Sequence, residues 1–173
     1  IYIGCPNHEN SALWIRPYTM FERIPLKNGP KVDAITYGTF VGYDTDFQHL
    51  KHGWHSVASV YLGYNGAQLS YNGADTSLNG GLLGLTETFY KKNFWTAITA
   101  TTGASFAETS TMYGHEDSTS LMAGIGSKTG YNFEFKEGKL IIQPILFMNY
   151  SFVNTFDYKN AAGISIDSKP FNN

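Results

Sequence analysis

The stretch Ser120 to Phe152, SLMAGIGSKTGYNFEFKEGKLIIQPILFMNYSF, constrains the fold more than any other part of the chain. Leu121, Ala123, Ile125, Tyr131, Phe133 and Phe135 fall on one parity. Gly124, Gly126, Lys128, Gly130, Asn132 and Glu134 fall on the other. A period of two makes a β-strand with one apolar face and one polar or small face. Lys136-Glu137-Gly138-Lys139 reads as a tight charged turn, after which a second strand is expected to return. On it Ile142, Leu146, Met148, Tyr150 and Phe152 share one face, opposite Gln143, Asn149 and Ser151. Each strand is longer than the roughly five or six residues usual in globular sheets. Each is long enough to cross a bilayer, which takes about nine to eleven tilted residues.

The rest of the chain repeats this unit. Residues 1–11 are polar, hold Pro6, and read as a linker, with the lone Cys5 a bystander that has no internal disulfide partner. Since the chain starts at Ile1, a mature or truncated fragment is expected. Strands are expected at Ala12–Phe21, Ala34–Tyr43, Trp54–Tyr64, Leu78–Tyr90, Phe94–Gly103 and Ala161–Ile166, beside the two above. Pro17 within the first argues for a sheet edge or a bulge. Long loops are expected at 22–33, 65–76, 104–118 and 153–160, from their Pro, Gly, Asn, Ser and Thr content. Tight turns are expected at 91–93 and 136–139, and an intermediate link at 44–53.

No convincing helical period appears, and no run of about eighteen apolar residues could make a transmembrane helix. An antiparallel up-and-down meander with one short-turn rim and one long-loop rim is the pattern of an outer-membrane barrel. Hydrocarbon leaves backbone N–H and C=O groups unsatisfied, so only helices and closed barrels span it. The expected fold is therefore all-β, part of a transmembrane β-barrel over residues 12–173. Phe21, Tyr43, Trp54, Tyr90, Phe94, Trp95, Phe135 and Tyr150 stand near strand ends and suit interfacial girdles. Periodicity alone leaves a soluble β-sandwich or lipocalin-like binding protein open, as well as a complete small eight-stranded barrel with an adhesive or structural role. Lys and Arg nearly balance Asp and Glu, which argues against a nucleic-acid surface.

Charged and polar residues inside the strands are the candidate site. Arg16, Glu87, Lys128, Asn132, Glu134 and Gln143 are expected to face a wet lumen, because Arg or Lys facing lipid at midplane costs roughly 2–4 kcal/mol and Glu less. Leu62, Ile125, Leu146 and Met148 are expected to face lipid. Counting back from a turn near Phe135 places Ile125 near the outer rim and the midplane by Thr129, so Thr129→Arg should cost more than Ile125→Arg.

With the strands placed, a family resemblance is visible. ALWIRPYTMF (Ala12 to Phe21) resembles the W-x-R-x-Y/F-G opening strand of autotransporter β-domains. ITYGTFVGYDTDF (Ile35 to Phe47) resembles their Gly-rich second strand with its G-x-D turn, and FYKKNFWTAI resembles a later strand–turn–strand. LIIQPILFMNYSF, followed by NAAGISIDS, is similar to the P-x-x-x-L-x-Y strand and the G-V/I-x-V-D-S segment beyond it. The resemblance implies seven or eight of twelve strands, the N-terminal two-thirds of a type V secretion translocator. It implies outer-membrane lipid, the barrel-assembly machinery and a passenger domain as partners, in a Gram-negative-type bacterium. The chain departs from the family pattern in having no plug-helix segment and no C-terminal strand ending in an aromatic residue.

No enzyme chemistry is expected. His49, His52 and His55 could bind Zn or Cu, but they straddle a turn and a strand start, have no obvious acidic or Cys partner, and read as a solvated rim. His115-Glu116-Asp117 reads as surface. Ser120 and Ser127 lack a nucleophile-elbow frame, and GGLLG (Gly80 to Gly84) lacks the Lys of a phosphate loop. No cofactor or metal is expected.

Overall fold

The alternation resolves into one long antiparallel sheet. In the computed structural model, residues 11–25, 31–71, 73–135, 140–160, 162–167 and 170–172 are described. The strands are β1 (Ala12–Pro25), β2 (Lys31–Asp44), β3 (Gln48–His49), β4 (His55–Tyr71), β5 (Ala74–Lys91), β6 (Phe94–Thr111), β7 (Gly114–Tyr131), β8 (Phe133–Phe135), β9 (Leu140–Ile142), β10 (Ile145–Thr155), β11 (Tyr158–Lys159), β12 (Ser165–Ile166) and β13 (Phe171–Asn172). The main sheet runs β1-β2-β4-β5-β6-β7-β10-β13, with β3 paired to β4. β1 and β13 are its two edges, so among the described residues the sheet does not close. The expected open meander is what forms, and Pro17 lies on the edge strand β1, where a missing N–H can face away from the ladder.

The strands are longer than the sequence suggested. β1 and β2 pair from Ala12↔Asp44 out to Pro25↔Lys31, so most of the expected loop 22–33 is strand, and residues 26–30 lie outside the described set. β4 runs to Tyr71 and β5 resumes at Ala74, where a long loop over 65–76 was expected. β6 runs to Thr111 and β7 resumes at Gly114, turning through Met112-Tyr113 instead of a long loop over 104–118. Gly73 at φ 89 and Gly114 at φ 136 sit at these two turns, where side chains are disfavoured. Ser and Thr suggested loops, but Thr is β-branched and fits a pleated edge. The tight turn at 91–93 forms as expected, with Lys92 at φ 52.

Two expectations fall at the C-terminal end. The expected eighth strand over 161–166 is absent from the main sheet: Ser165–Ile166 pairs with Tyr158–Lys159 in a small separate hairpin. Phe171 and Asn172 instead pair with Val153 and Phe152. The linker 1–11 lies outside the described residues except for Ser11, whose N–H donates to Asp46 Oδ1.

The register sorts side chains into two faces. One row reads Leu13–Tyr43–Val60–Leu85–Ala100–Ile125–Tyr150 across seven strands. These residues are exposed or nearly so: Leu13 79%, Leu85 56%, Ile125 56%. On β2, β4, β5, β6 and β7 the residues of the opposite face are half-buried or buried, as on the concave side of a curled sheet. Among the described residues the buried apolar side chains are only Ala34, Trp95 and Ala97. A sandwich would bury one apolar face against another. This single layer buries neither.

The concave face is packed by pairing a large ring with a glycine. One row reads Trp14–Gly42–Tyr61–Gly84–Thr101–Gly124–Ser151. A Cβ on Gly42 would stand within 3.0 Å of the Trp14 ring, and one on Gly84 within 3.0 Å of the Tyr61 ring. Phe40 covers Gly63 and Trp95 covers Gly130 in the same way. Each ring lies flat over the neighbouring strand and shields backbone that glycine leaves bare, an arrangement known from aromatic rescue of strand glycines. Gly84→Val should therefore destabilise the intact barrel by about 1–3 kcal/mol through overpacking. Gly81→Ala, whose added methyl would meet only a carbonyl oxygen at 3.8 Å, should be within about 0.5 kcal/mol of wild type. Urea unfolding in lipid is the measurement. The Gly84→Val cost should shrink in a Tyr61→Ala background; an undiminished cost would mean that the ring is not the obstacle.

Candidate lumen face and the rims

The concave face carries small and hydroxyl side chains between its rings. Thr86 Oγ1 and Thr99 Oγ1 are 2.8 Å apart, Thr76 and Thr109 are 3.0 Å apart, and Ser120 and Thr155 are 2.8 Å apart. Such cross-strand hydroxyl pairs satisfy each other and add to sheet cohesion. Trp14 Nε1–H donates to Asp44 Oδ1 at 2.8 Å, fixing the ring over Gly42. Lys128 Nζ lies 5.9 Å from the Trp95 ring centroid, within cation–π range. Arg16 stands in the row Arg16–Phe40–Gly63–Leu82–Gly103–Met122–Val153 on this face and is exposed.

The six residues expected to share the lumen do not all do so. Arg16 and Lys128 lie on the concave face. Glu87 does not: it pairs with Ala58 and Ile98, in line with Ser127 and Met148, on the apolar face. Its parity on β5 is that of Leu83, Leu85 and Phe89, which the register fixes and polarity alone misassigned. Asn132 and Gln143 lie beyond the main strands. Asn132 N–H donates to Asn93 O at 2.8 Å, Asn93 Nδ2 donates to Asn132 O at 2.9 Å, and Gln143 Nε2 donates to Asn132 Oδ1 at 2.5 Å. These two residues pin the β7–β10 hairpin to the 92–93 turn. Glu134 sits in β8, opposite Ile141 of β9, outside the main sheet.

The exposed face has a band structure along the strands. The row Lys91–Phe94–Tyr131 bounds it at one end, and Thr19–Tyr37–Gly66–Asn79–Phe106–Thr119 at the other. Phe94 to Phe106 spans twelve residues of β6, roughly 31 Å of height at about 3.4 Å per residue and a tilt near 40°. Beyond it, past the mixed row Phe21–Ile35–Gln68–Ser77–Glu108–Asp117, the same face is polar along the row Arg23–Asp33–Ser70–Asp75–Ser110–His115. Its members pair across strands. Arg23 Nε meets Asp33 Oδ1 at 2.6 Å, Ser70 Oγ meets Asp75 Oδ1 at 2.8 Å, and Ser110 Oγ meets His115 Nδ1 at 2.9 Å. The strands thus run past the apolar band by more than one pair of residues. Ile125 lies in the middle row of the band. The expectation that it stands near a rim is reversed, because the 91–94 turn, and not Phe135, marks the band's edge. β8 and β9 overshoot that edge in the register of β7 and β10: Phe133↔Ile142 continues the series of Gly130↔Ile145.

Comparison with known proteins accords with this geometry. A crystal structure of the β domain of the Bordetella autotransporter BrkA superposes with a TM-score of 0.72 at 17% identity, covering 92% of this chain and 65% of that one. The chain thus spans just under two thirds of that domain, and at such identity the likeness shows the fold. No curated protein matches the chain. The family model described as the autotransporter beta-domain matches residues 13–173. The single-layer meander, the exposed apolar band and that match over nearly all of the chain agree: it belongs to the autotransporter β-domain family.

Proposed function

We propose that residues 12–173 form the N-terminal part of an outer-membrane translocator barrel that anchors and exports a passenger domain. The observation that carries this reading is the seven-strand apolar row Leu13 to Tyr150, exposed on one face and bounded by Phe94 and Tyr131 at one end and by Tyr37 and Phe106, then a polar row, at the other. In water such a face has no means of burial. In a bilayer it is solvated by lipid, with Tyr37, Phe94, Phe106 and Tyr131 at the interfaces. The concave face then lines an aqueous passage, with Arg16, Lys128 and the hydroxyl pairs keeping it wet. Asn132, Glu134 and Gln143 belong to the hairpin at its mouth. Passage and anchoring need no catalytic group, so the reading is of a non-enzyme. Its partners are outer-membrane lipid, the barrel-assembly machinery and the exported passenger, in a Gram-negative-type bacterium.

Facing is tested by labelling. In the intact protein with Cys5→Ser, Lys128→Cys should react with a water-soluble maleimide and Ile125→Cys should not. The reverse order would put the apolar face in water and return the chain to the soluble reading. Depth is tested by stability in lipid. Ile125→Arg, mid-band, should cost about 2–4 kcal/mol, whereas Thr129→Arg, two residues from the Tyr131 rim, should cost about 0–1. Equal costs would mean that the face is not in hydrocarbon. Glu87 is the exception within the band, a carboxyl among Leu85, Phe89, Ala58 and Ile98. Glu87→Leu should stabilise the barrel by about 1–2 kcal/mol, while Lys128→Leu should not stabilise it. A destabilised Glu87→Leu variant would show that the carboxylate has a partner in the assembled barrel.

A further inference from the structure

The three histidines near the 45–54 link are brought together selectively. β3 pairs with β4 so that His49 and His55 stand opposite each other. Their Nδ1 atoms are 2.9 Å apart. His52 is in the turn between them, at φ 62. Phe47 holds both rings of the pair. Its centroid lies 4.7 Å from that of His55, stacked at 23°, and 5.9 Å from that of His49, edge-on at 85°. Phe47 in turn leans on Tyr90 at 6.0 Å. Upstream, Thr45 N–H donates to Ala58 O at 2.8 Å, and Thr45 Oγ1 accepts from Ala58 N–H at 3.1 Å. The link is therefore tied to β4 on one side of the pair, and on its turn side Leu50 N–H donates to Trp54 O at 2.8 Å.

Two imidazoles in this position share one hydrogen between facing nitrogens. The same position suits a metal ion. Imidazole nitrogens bind zinc at about 2.0–2.1 Å, so two of them on one ion stand about 2.9 Å apart at a right angle and about 3.4 Å apart at the tetrahedral angle. We propose that His49 and His55 form a two-imidazole clamp for a divalent transition metal, with Cu²⁺ held most tightly and Zn²⁺ and Ni²⁺ less so, at the concave mouth of the 45–54 rim. On binding, the ring that carries its proton on Nδ1 moves it to Nε2 through solvent. Both Nδ1 lone pairs then turn to the metal and no net proton is lost. Among the described residues no group of three or more His, Cys, Asp or Glu could hold a metal, so water completes the coordination and the site exchanges freely. The clamp closes the 45–54 link onto β4 and does not depend on which face meets lipid.

The test is titration of the intact barrel with Cu²⁺, read by electron paramagnetic resonance. One equivalent should bind with the hyperfine pattern of two nitrogens. His49→Ala and His55→Ala should each weaken binding about ten-fold or more, since the second ligand acts at high effective concentration. His52→Ala should change it less than about three-fold. Equal loss in all three variants would overturn the cross-strand clamp in favour of a loop chelate, and unchanged binding in the His49→Ala/His55→Ala pair would overturn it outright. Wild-type protein supplies a check that needs no variant to fold. Zn²⁺ should protect both His49 and His55 from diethyl pyrocarbonate, read by peptide mass, and protection of neither would refute the proposal.

Discussion

Each strand in this sheet depends on its neighbours for nearly all of its cohesion, because among the described residues no second layer covers it. In a globular domain, apolar contact between layers supplies most of the stabilisation, and hydrogen bonds mainly avoid a penalty. Here the buried apolar side chains among the described residues are three, and two of them are alanines. Cohesion comes from the unbroken ladder between successive long strands and from rings laid across it. An N–H or C=O group in hydrocarbon has no water to bond, so a gap in that ladder would cost several kcal/mol. This explains why the pairing runs without a bulge through the apolar band, from Leu13↔Tyr43 to Thr19↔Tyr37 and from Val60↔Leu85 to Gly66↔Asn79.

The glycines follow from the same constraint. A curled single layer crowds its concave side, and large side chains on adjacent strands would collide there. Alternating ring and glycine along a row, Trp14–Gly42–Tyr61–Gly84, lets each ring lie over the neighbouring glycine, with Trp14 and Tyr61 6.1 Å apart between centroids and Phe40 edge-on to Tyr61 at 6.0 Å. Further along the same row the residues are Thr101, Gly124 and Ser151, and the concave wall there is low. Gly42, Gly63, Gly84 and Gly130 are seats for rings.

Much of this was legible in the sequence, and the failures share a cause. The alternation in 120–135 gives the facing of Ile125 and Lys128 directly, since parity is a local property. The Lys91-Lys92-Asn93 turn is legible because apolar runs stop on both sides of it. The composition of residues 104–118 was misleading, because Ser and Thr mark loops in water-soluble chains but also build strands that leave a membrane and enter water. The row Arg23–Asp33–Ser70–Asp75–Ser110–His115 is made largely of short polar residues, and only pairing reveals it as one polar belt. Glu87 failed for a different reason. Charge suggested the lumen, while its parity with Leu83 and Leu85 pointed the other way, and parity wins because a strand cannot turn one side chain over without a bulge. The position of Ile125 needed the neighbouring turn at 92–93, which local counting from Phe135 could not supply. The meeting of His49 with His55 likewise rests on a cross-strand register set outside their own segment.

The two edges of the sheet are not alike, and the difference bears on how it grows. β1 carries Pro17, Arg16, Glu22 and Arg23, and a proline and charges on an edge discourage unplanned pairing. β10 begins ILFMNYSF, with Ile145, Phe147, Met148 and Phe152 exposed to differing degrees, and has no such protection. It is the edge at which a further strand has already begun, through Phe152↔Asn172 and Val153↔Phe171. That register fixes what an extension must look like. In the register Phe152↔Asn172, a strand continuing antiparallel would set alternate residues beside Tyr150, Met148 and Leu146, on the apolar face. The intervening residues would lie beside Ser151 and Asn149, on the concave face. Apolar and small residues would have to alternate in that phase, because a slip of one position would turn the whole new strand inside out.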